Sequence, residues 1–237
     1  MTTADRWTQT VRRQLGLGRL LPLGGPGDGA WIAERAARAA LLSAAREVGG
    51  VSMGRLRIAP ADPEAVEAPA VPPPPSALPP GPLRVTADFA ATASEPLPAT
   101  AGRLRAALAA ASTRGLGLTV TDVDLRVSDL LDADAEPAPV RDSEAVRAVA
   151  PGGGDEGRAA EAALAVAGVA RLTDVLGHPV HITELPGEAA LPRRHVRLEL
   201  AVGAGHRTVE VARQVRTAVS DALPDHPSVA VLVTAIT

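Results

Sequence analysis

The sharpest catalytic motif in the sequence is Gly50-Val51-Ser52-Met53-Gly54, which has the Gly-x-Ser-x-Gly spacing of a hydrolase nucleophile elbow. In such an elbow a strand leads into the serine and a helix leaves it, so that the hydroxyl stands on a strained turn. Here the periodicity predicts the reverse order, with a helix before Ser52 and a strand after it. The matching position in the second half reads Gly168-Val169-Ala170, without a hydroxyl. We therefore predict a structural Gly-Val turn and no catalytic residue.

All five histidines lie in the second half of the chain, and imidazoles are common metal ligands. His178, His181 and His195 converge if two predicted strands pair. However, a spacing of three on an extended strand places two side chains on opposite faces, and the sequence fixes no carboxylate pair nearby. The aspartates at 122–134 lack the glycine and the terminal glutamate of a calcium loop. We predict solvated histidines, a solvated acidic face and no metal site.

The composition excludes several reaction classes within this chain. All 24 basic residues are arginines, and the chain has no Cys, no Tyr and only three aromatic residues, Trp7, Trp31 and Phe89. Schiff-base chemistry and the P-loop need lysine, whereas thiol catalysis, Cys-ligated zinc and disulfides need cysteine. The formal net charge of −3 and the scarcity of aromatic residues also argue against a nucleic-acid partner, which needs basic and stacking side chains.

Two stretches of unusual composition divide the chain. Ten of the 22 prolines fall between Pro60 and Pro82, and proline neither continues a helix nor donates in a central strand, so an extended surface excursion is predicted. Residues 132–155 are acidic and rich in Pro and Gly, which is typical of an interdomain linker. Residues 1–24 are predicted to form a basic amphipathic arm around Trp7. Packing of this arm on an apolar surface is the favoured interpretation, and the alternatives are contact with an anionic membrane or docking to a partner.

The segments on either side of the linker repeat one order of elements: helix, strand, strand, helix, strand. The first unit, 25–131, has predicted helices at 30–48 and 97–111 and strands at 56–58, 84–91 and 122–127. The second unit, 156–237, has predicted helices at 156–166 and 207–223 and strands at 180–183, 196–202 and 229–236. Leading edge strands at 20–23 and 145–149 would make each unit a split βαβ sandwich, with a helix pair over an antiparallel sheet. The predicted fold class is α+β.

Residues at matching positions of the two units predict that the units arose by duplication. Gly50-Val51 parallels Gly168-Val169, and Val85 parallels Val196. In the second helix of each unit, Leu104-Arg105 parallels Val215-Arg216.

The last predicted strand, 229–236, is apolar on both faces, because Ala230, Leu232 and Ile236 occupy the face that is polar in the first unit. The other unit or another subunit must cover this face. A membrane is a poorer candidate, since the strand is short and has no basic rim. We predict an interface that involves Trp7, Leu232 and Ile236.

The second unit resembles the alkaline shock protein family of bacterial cell-envelope stress proteins. The resemblance runs through Glu161-Ala162-Ala163-Leu164-Ala165-Val166-Ala167-Gly168-Val169-Ala170-Arg171-Leu172 and continues in the strand, helix and strand predicted after His195. The first unit is similar more loosely, through Ile32-Ala33 and through Arg46-Glu47-Val48-Gly49-Gly50-Val51. The arm, the excursion and the linker lie outside the resemblance, which contains no catalytic signature.

This resemblance implies a small non-enzymatic protein of the cytoplasm. Such a protein would self-associate, or a membrane-anchored partner would hold it beneath the membrane. Its role would be in the homeostasis of the cell envelope. The family usually has one such domain, whereas this sequence is predicted to contain two copies, with a proline-rich insertion in the first of them. The family supplies no functional residues that can be carried over to positions of this sequence.

We therefore predict a non-enzymatic interaction or structural protein linked to the cell envelope, located in the cytoplasm or at the inner face of the cell membrane. No cofactor, metal or nucleic acid is expected, and direct membrane contact would use only the N-terminal arm. The alternative is a small-molecule sensor or enzyme that uses a crevice between the two units. Charged residues from both units that converge in a cleft would favour this alternative.

Overall fold

The computed structural model describes residues 17–131, 153–185 and 193–237. These residues form an α+β fold, as the sequence predicts, with two mixed sheets. The strands are β1 (Leu20–Pro22), β2 (Ala30–Ala33), β3 (Val51–Pro60), β4 (Leu83–Thr92), β5 (Val120–Leu131), β6 (Val169–Leu172), β7 (Val180–Leu185), β8 (Arg193–Val202) and β9 (Ser228–Ile236). The helices are α1 (Glu34–Arg46), α2 (Leu97–Ala110), α3 (Gly154–Leu164) and α4 (Thr208–Ala222).

The strands are arranged in one larger and one smaller sheet. The larger sheet has the order β1-β2-β9-β8. Both β6 and β7 pair with β8 along the edge that β9 does not occupy. The smaller sheet has the order β3-β4-β5. The expectation of antiparallel sheets is wrong, because β4 and β5, β8 and β9, and β2 and β9 all run parallel. A helix joins β4 to β5 and another joins β8 to β9, and such crossovers return the chain in the same direction.

The two units have a similar element order and strand pairing, but the second unit has two strands, β6 and β7, where the first has β3 alone. In each unit a first strand or strand pair lies antiparallel to the second strand, which lies parallel to the third. Gly50 and Gly168, which precede the first strand of each unit, both have positive φ angles, +73° and +93°. At these angles a glycine avoids the strain that a side chain would meet, so the repeated Gly-Val turn has a backbone cause. The origin of the units by duplication stays a prediction.

The helix predicted from residue 30 begins only at Glu34, because Ala30–Ala33 forms strand β2. All four residues of β2 are buried, and the large apolar side chains of Trp31 and Ile32 suit a strand that is covered on both faces. The strand expected at 20–23 is present as β1. Both strands belong to the sheet of the second unit, since β1 pairs with β2 and β2 pairs with β9.

The core is continuous between the two units. The five consecutive residues of β9 from Val229 to Val233 are all buried, and because successive residues of a strand point to opposite faces, both faces of β9 are covered. Helix α4 of the second unit and helix α1 of the first unit both pack against β9. The cover that the apolar strand requires therefore includes the other unit, as the sequence predicts.

The proline-rich excursion connects β3 to β4 and lies along the larger sheet. The indole Nε1–H of Trp31 donates to the carbonyl of Leu78 over 3.1 Å. The main-chain N–H of Leu78 donates to Leu20, and that of Ala70 donates to Pro26, each over 2.9 Å. These bonds fix the excursion beside β1, so this spacer is attached to the second unit's sheet.

Among the helices of the described residues, none combines the length and the apolar character needed to cross a bilayer.

Candidate functional site

The structure places the three predicted interface residues in different surroundings. Leu232 has no exposed surface and lies beside Trp31 in the parallel pair of β9 and β2. Its side chain is therefore part of this chain's own interior. Ile236 is partly buried against the same core. Trp7 lies outside the described residues.

Ser52 is the second residue of β3 and pairs with Ala90 of β4. Helix α1 precedes it and the strand continues after it, which is the order that the sequence predicts and the reverse of a nucleophile elbow.

Two histidines are closer together than the sequence analysis expects. His178 precedes β7 and lies in the turn, so the strand alternation does not apply to it, and its ring stacks on that of His181 with 6.3 Å between centroids. His195 Nδ1 and Ser228 Oγ are hydrogen-bonded over 2.8 Å. Burial, assisted by the charge of Arg197, lowers the pKa of both His181 and His195. Within the described residues, no group of three or more His, Asp or Glu is placed to hold a metal ion.

Glu199 on β8 is a buried carboxylate that the sequence analysis missed. Its side chain has no exposed surface, and burial raises the pKa of its carboxyl to about 7. The main-chain N–H of Leu176 donates to both carboxylate oxygens, over 3.0 and 3.2 Å. The sequence does contain a signal for this site, because Glu199 lies between Leu198 and Leu200 in a strand that is otherwise mostly apolar after residue 197. Its burial could not be read from the sequence, because the loop between β6 and β7 supplies Leu176.

A cleft of about 420 Å³ lies between the excursion and α4, where the crevice between the units was expected. The first unit contributes Val71 to its lining and no charged side chain. Arg216 donates to the carbonyls of Val229, Gly27 and Asp28 over 2.9, 2.8 and 2.6 Å. Arg213 makes a bidentate hydrogen bond to the carboxylate of Asp28, and this bond lowers the pKa of Asp28. Both guanidinium groups of this cleft, those of Arg213 and Arg216, are therefore hydrogen-bonded to other groups of the same chain.

The acidic face of β5 is also paired within the chain. Arg84 on β4 lies 3.5 Å from the carboxylates of both Asp122 and Asp124. All three side chains are about half exposed, so these pairs contribute little to the free energy of folding.

Three of the four sheet edges in the described part of the chain carry features that discourage a further strand. β1 is three residues long, contains Pro22 and is bridged by Ala77 of the excursion. β3 is bulged between Met53 and Leu56, and Arg19 donates to its Ile58 carbonyl. The edge formed by β6 and β7 is split into two short strands. Short strands, prolines, bulges and covering groups are the usual means by which proteins protect such edges.

The fourth edge, β5, has 12 residues and pairs only with β4 among the described strands. It carries two of the most exposed large apolar side chains, Val127 at 39% and Leu130 at 59%. A long edge with exposed apolar residues is a template on which another strand can pair. We call the outer side of β5 from Val123 to Val127 the β5 edge.

The register identifies the main-chain groups on the β5 edge. The main-chain N–H of Leu83 on β4 donates to the carbonyl of Thr119, which precedes β5. The main-chain N–H of Thr92 donates instead to the carbonyl of Gly50, which precedes β3. Odd residues of β4 therefore bond to β5, and even residues bond to β3. Val85 is in register with Val123, so it bonds to the residues on either side of Val123. The N–H and C=O groups of Val123, Leu125 and Val127 consequently point away from β4.

One side chain occupies this outer side. Arg105 of α2 donates its Nε–H to the carbonyl of Val123 over 3.1 Å. Arg216, at the matching position of the second unit, bonds to Val229 of β9. Two residues further along β9, Val231 donates to Gly29 and pairs with β2. In the second unit, then, the outer side of the third strand is filled by another strand, and in the first unit it is open within the described residues.

Comparisons of the chain with protein-family models, with curated proteins and with solved structures find no match. The resemblance to the alkaline shock protein family stays a prediction from the sequence.

The β5 edge is the feature that the sequence analysis did not recognise as a site. The alternation of Val123, Leu125 and Val127 with charged residues correctly predicts a strand with one buried face. Strand order decides whether such a strand lies at an edge, and that order depends on contacts between distant segments. A signal was nonetheless present in the contrast with the second unit's last strand, which is apolar on both faces.

Proposed function

We propose that this chain is a non-enzymatic interaction protein and that its working surface is the β5 edge. The observation that supports the proposal is the contrast between this edge and the other three, which are short, split, bulged or covered. Main-chain donors and acceptors at Val123, Leu125 and Val127 lie beside exposed apolar side chains. An extended segment that adds to such an edge gains main-chain hydrogen bonds as well as apolar contact.

The cleft beside α4 argues for this proposal rather than for the sensor or enzyme alternative. A ligand site needs convergent polar groups that are free to act on the ligand. Arg213 and Arg216 already bind Asp28 and three main-chain carbonyls. A connection to the cell envelope rests on the sequence resemblance alone, so we do not include it in the proposal.

The proposal can be tested by photo-crosslinking in cells that express the chain. A photoreactive residue replaces Val127 on the edge, and a matched control replaces Val66, which is similarly exposed but lies in the excursion. We expect a discrete adduct from position 127 only.

A pair of edge variants makes the result specific. Leu125→Pro removes an N–H that points away from β4, whereas Leu125→Ala shortens the same side chain and keeps that N–H. We expect the adduct from position 127 to be lost in the proline variant and to persist, although weaker, in the alanine variant. Thermal melting of both variants checks that each remains folded. An adduct that is equally strong in both, or no adduct, would contradict the proposal.

A further inference from the structure

We infer that the occupant of the β5 edge is a second copy of this chain, paired antiparallel through β5 about a two-fold axis at Leu125. This inference rests on the proposed function, and it adds the identity and the register of the partner. Its basis is the sequence of β5, whose apolar and charged residues are arranged symmetrically about Leu125.

The apolar residues of β5 that face the helices are spaced evenly on either side of Leu125. In the inferred register Leu125 lies opposite the partner's Leu125, and Val123 lies opposite the partner's Val127. Val120 lies five residues before Leu125, and Leu130 lies five residues after it. A shift in the β4–β5 register separates each of them from the central residues 123–127. A two-fold pairing therefore places apolar side chains opposite one another along the face of β5 that lies toward the helices. Such cross-strand pairs are the units that stabilise a sheet.

The charges on the outward face select this register over its neighbours. With the axis at Leu125, Asp124 lies opposite the partner's Arg126, and the symmetry makes this pair twice. An axis at Asp124 would place two aspartates opposite each other, and an axis at Arg126 would place two arginines opposite each other. Like charges directly opposite each other destabilise a sheet. The Leu125 register is the one of these three that joins opposite charges without joining like charges.

The main-chain groups agree with the same register. Val123, Leu125 and Val127 direct their N–H and C=O groups to the outer side of β5. An axis at Leu125 pairs Leu125 with its own copy and Val123 with the partner's Val127, so each such pair exchanges two hydrogen bonds.

The neighbouring face of α2 leaves room for the partner. Gly102 and Ala109 lie three residues before and four residues after Arg105, on the helix face that reaches the β5 edge. A Cβ atom added at Gly102 would meet nothing within 4 Å. When the two copies pair, the hydrogen bond from Arg105 to the carbonyl of Val123 must break, because the N–H of the partner's Val127 then donates to that carbonyl.

Disulfide trapping tests the register directly, because the chain contains no cysteine and every disulfide reports an introduced residue. We choose Asp124→Cys and Arg126→Cys in the full-length purified chain, since both side chains point outward. In the inferred register these two positions face each other with Cα atoms about 4.5 Å apart, within the range that a disulfide spans. Two copies of Asp124 would instead be roughly 8 Å apart, which is too far.

The expected result is a disulfide dimer in an equimolar mixture of the two variants, with an affinity tag on one variant to identify the mixed product. Each variant alone should give at least about tenfold less dimer. Thr86→Cys, on the outward face of β4, is the matched control and should give none. Efficient dimer formation by Asp124→Cys alone, or equal yields at all three positions, would overturn the register.

A charge exchange keeps the inference testable without a disulfide. Asp124→Arg places two arginines opposite each other twice, and Arg126→Asp does the same with aspartates, so each variant alone should associate roughly tenfold more weakly than the parent chain. Mixing the two variants restores both opposite-charge pairs and should restore association in sedimentation equilibrium. Failure of the mixture to recover would overturn the inference.

The two proposals fail separately. A purified chain that remains monomeric and forms no mixed disulfide refutes pairing with a second copy. If position 127 still forms its adduct in cells under those conditions, the β5 edge binds a different chain and the proposed function stands. The absence of both results refutes both.

Discussion

Arg105 and Arg216 make the same contact in the two units: each donates its Nε–H to a valine carbonyl on the third strand, over 3.1 Å at Val123 and 2.9 Å at Val229. The consequence differs because β9 is then joined by β2, whereas the outer side of β5 has no strand among the described residues. Arg105 therefore competes with an incoming strand for an acceptor on the β5 edge.

Replacing Arg105 with alanine should strengthen self-association of the chain. An exposed hydrogen bond contributes about 1 kcal/mol at most, so its removal should lower the dissociation constant up to about fivefold for each copy. Sedimentation equilibrium measures the change. Arg103→Ala is the matched control, since Arg103 lies on the same helix with the same charge but binds Glu95. Weaker association of Arg105→Ala would show that the arginine assists the contact instead of competing for it.

The free energy of unfolding should fall as the pH rises through about 7, because Glu199 is buried and its pKa is raised to about 7. A carboxyl with a raised folded-state pKa stabilises the fold fully below its unfolded-state pKa, and this contribution is lost as the pH passes the folded-state pKa. Between pH 4 and pH 8.5 the loss amounts to about 3 kcal/mol at most.

The variant Glu199→Gln tests this source of pH dependence, since an amide does not ionise in this range. Urea unfolding at pH 5.5, 7 and 8.5 should show a smaller decrease in stability for the variant than for the parent chain. A parent chain whose stability is equal at pH 5.5 and 8.5 would show that Glu199 does not titrate as its burial implies.

The α+β class and the order of elements follow from local pattern, but the sheet order does not. Alternation in β4 and β8 and the helical spacing in α2 and α4 are properties of short segments, so the sequence predicts them. The sequence predicts a helix over residues 30–33 because Ala33 continues the helical spacing of Ala37 and Leu41 in α1. Pairing with β9, which lies just over two hundred residues further along the chain, makes them a strand instead, and no local pattern carries that information.

The candidate site shows the same limit. The sequence predicts that the apolar face of β9 needs cover, and it places Leu232 at an interface because it does not show which element provides that cover. Helix α1 and the strand that contains Trp31 pack there. The β5 edge escaped notice because its exposure depends on which strands lie beside it.

Arg216 should matter more to stability than Arg213, although the two arginines lie one turn apart on α4. Arg216 is half-buried and donates to three carbonyls, so Arg216→Lys, which keeps the charge but loses the forked geometry, should lower the free energy of unfolding by about 1–3 kcal/mol. Arg213 is more exposed and binds the carboxylates of Asp28 and Glu210 at the surface, so Arg213→Lys should cost no more than about 1 kcal/mol. Chemical denaturation compares the two, and equal effects would refute this ranking.

Gly117 is a close contact between the two units. Its φ is +89°, and a Cβ atom there would lie 2.2 Å from Cγ1 of Val209 on α4. Gly117→Ala should therefore lower the free energy of unfolding by about 2 kcal/mol or more, through backbone strain and overpacking. Gly102→Ala, in an open helical position, should instead stabilise the chain by up to about 1 kcal/mol. Thermal melting of both variants measures the difference, and a neutral Gly117→Ala would contradict the close packing.

Amide hydrogen exchange on β5 tests the central claim most directly. The N–H groups of Val123, Leu125 and Val127 point away from β4, whereas those of Asp124 and Arg126 bond to it. If a second copy pairs with the β5 edge, exchange at the three apolar positions should slow as protein concentration rises, while the two charged positions stay protected throughout. Unprotected exchange at Val123, Leu125 and Val127 at every concentration would contradict the account.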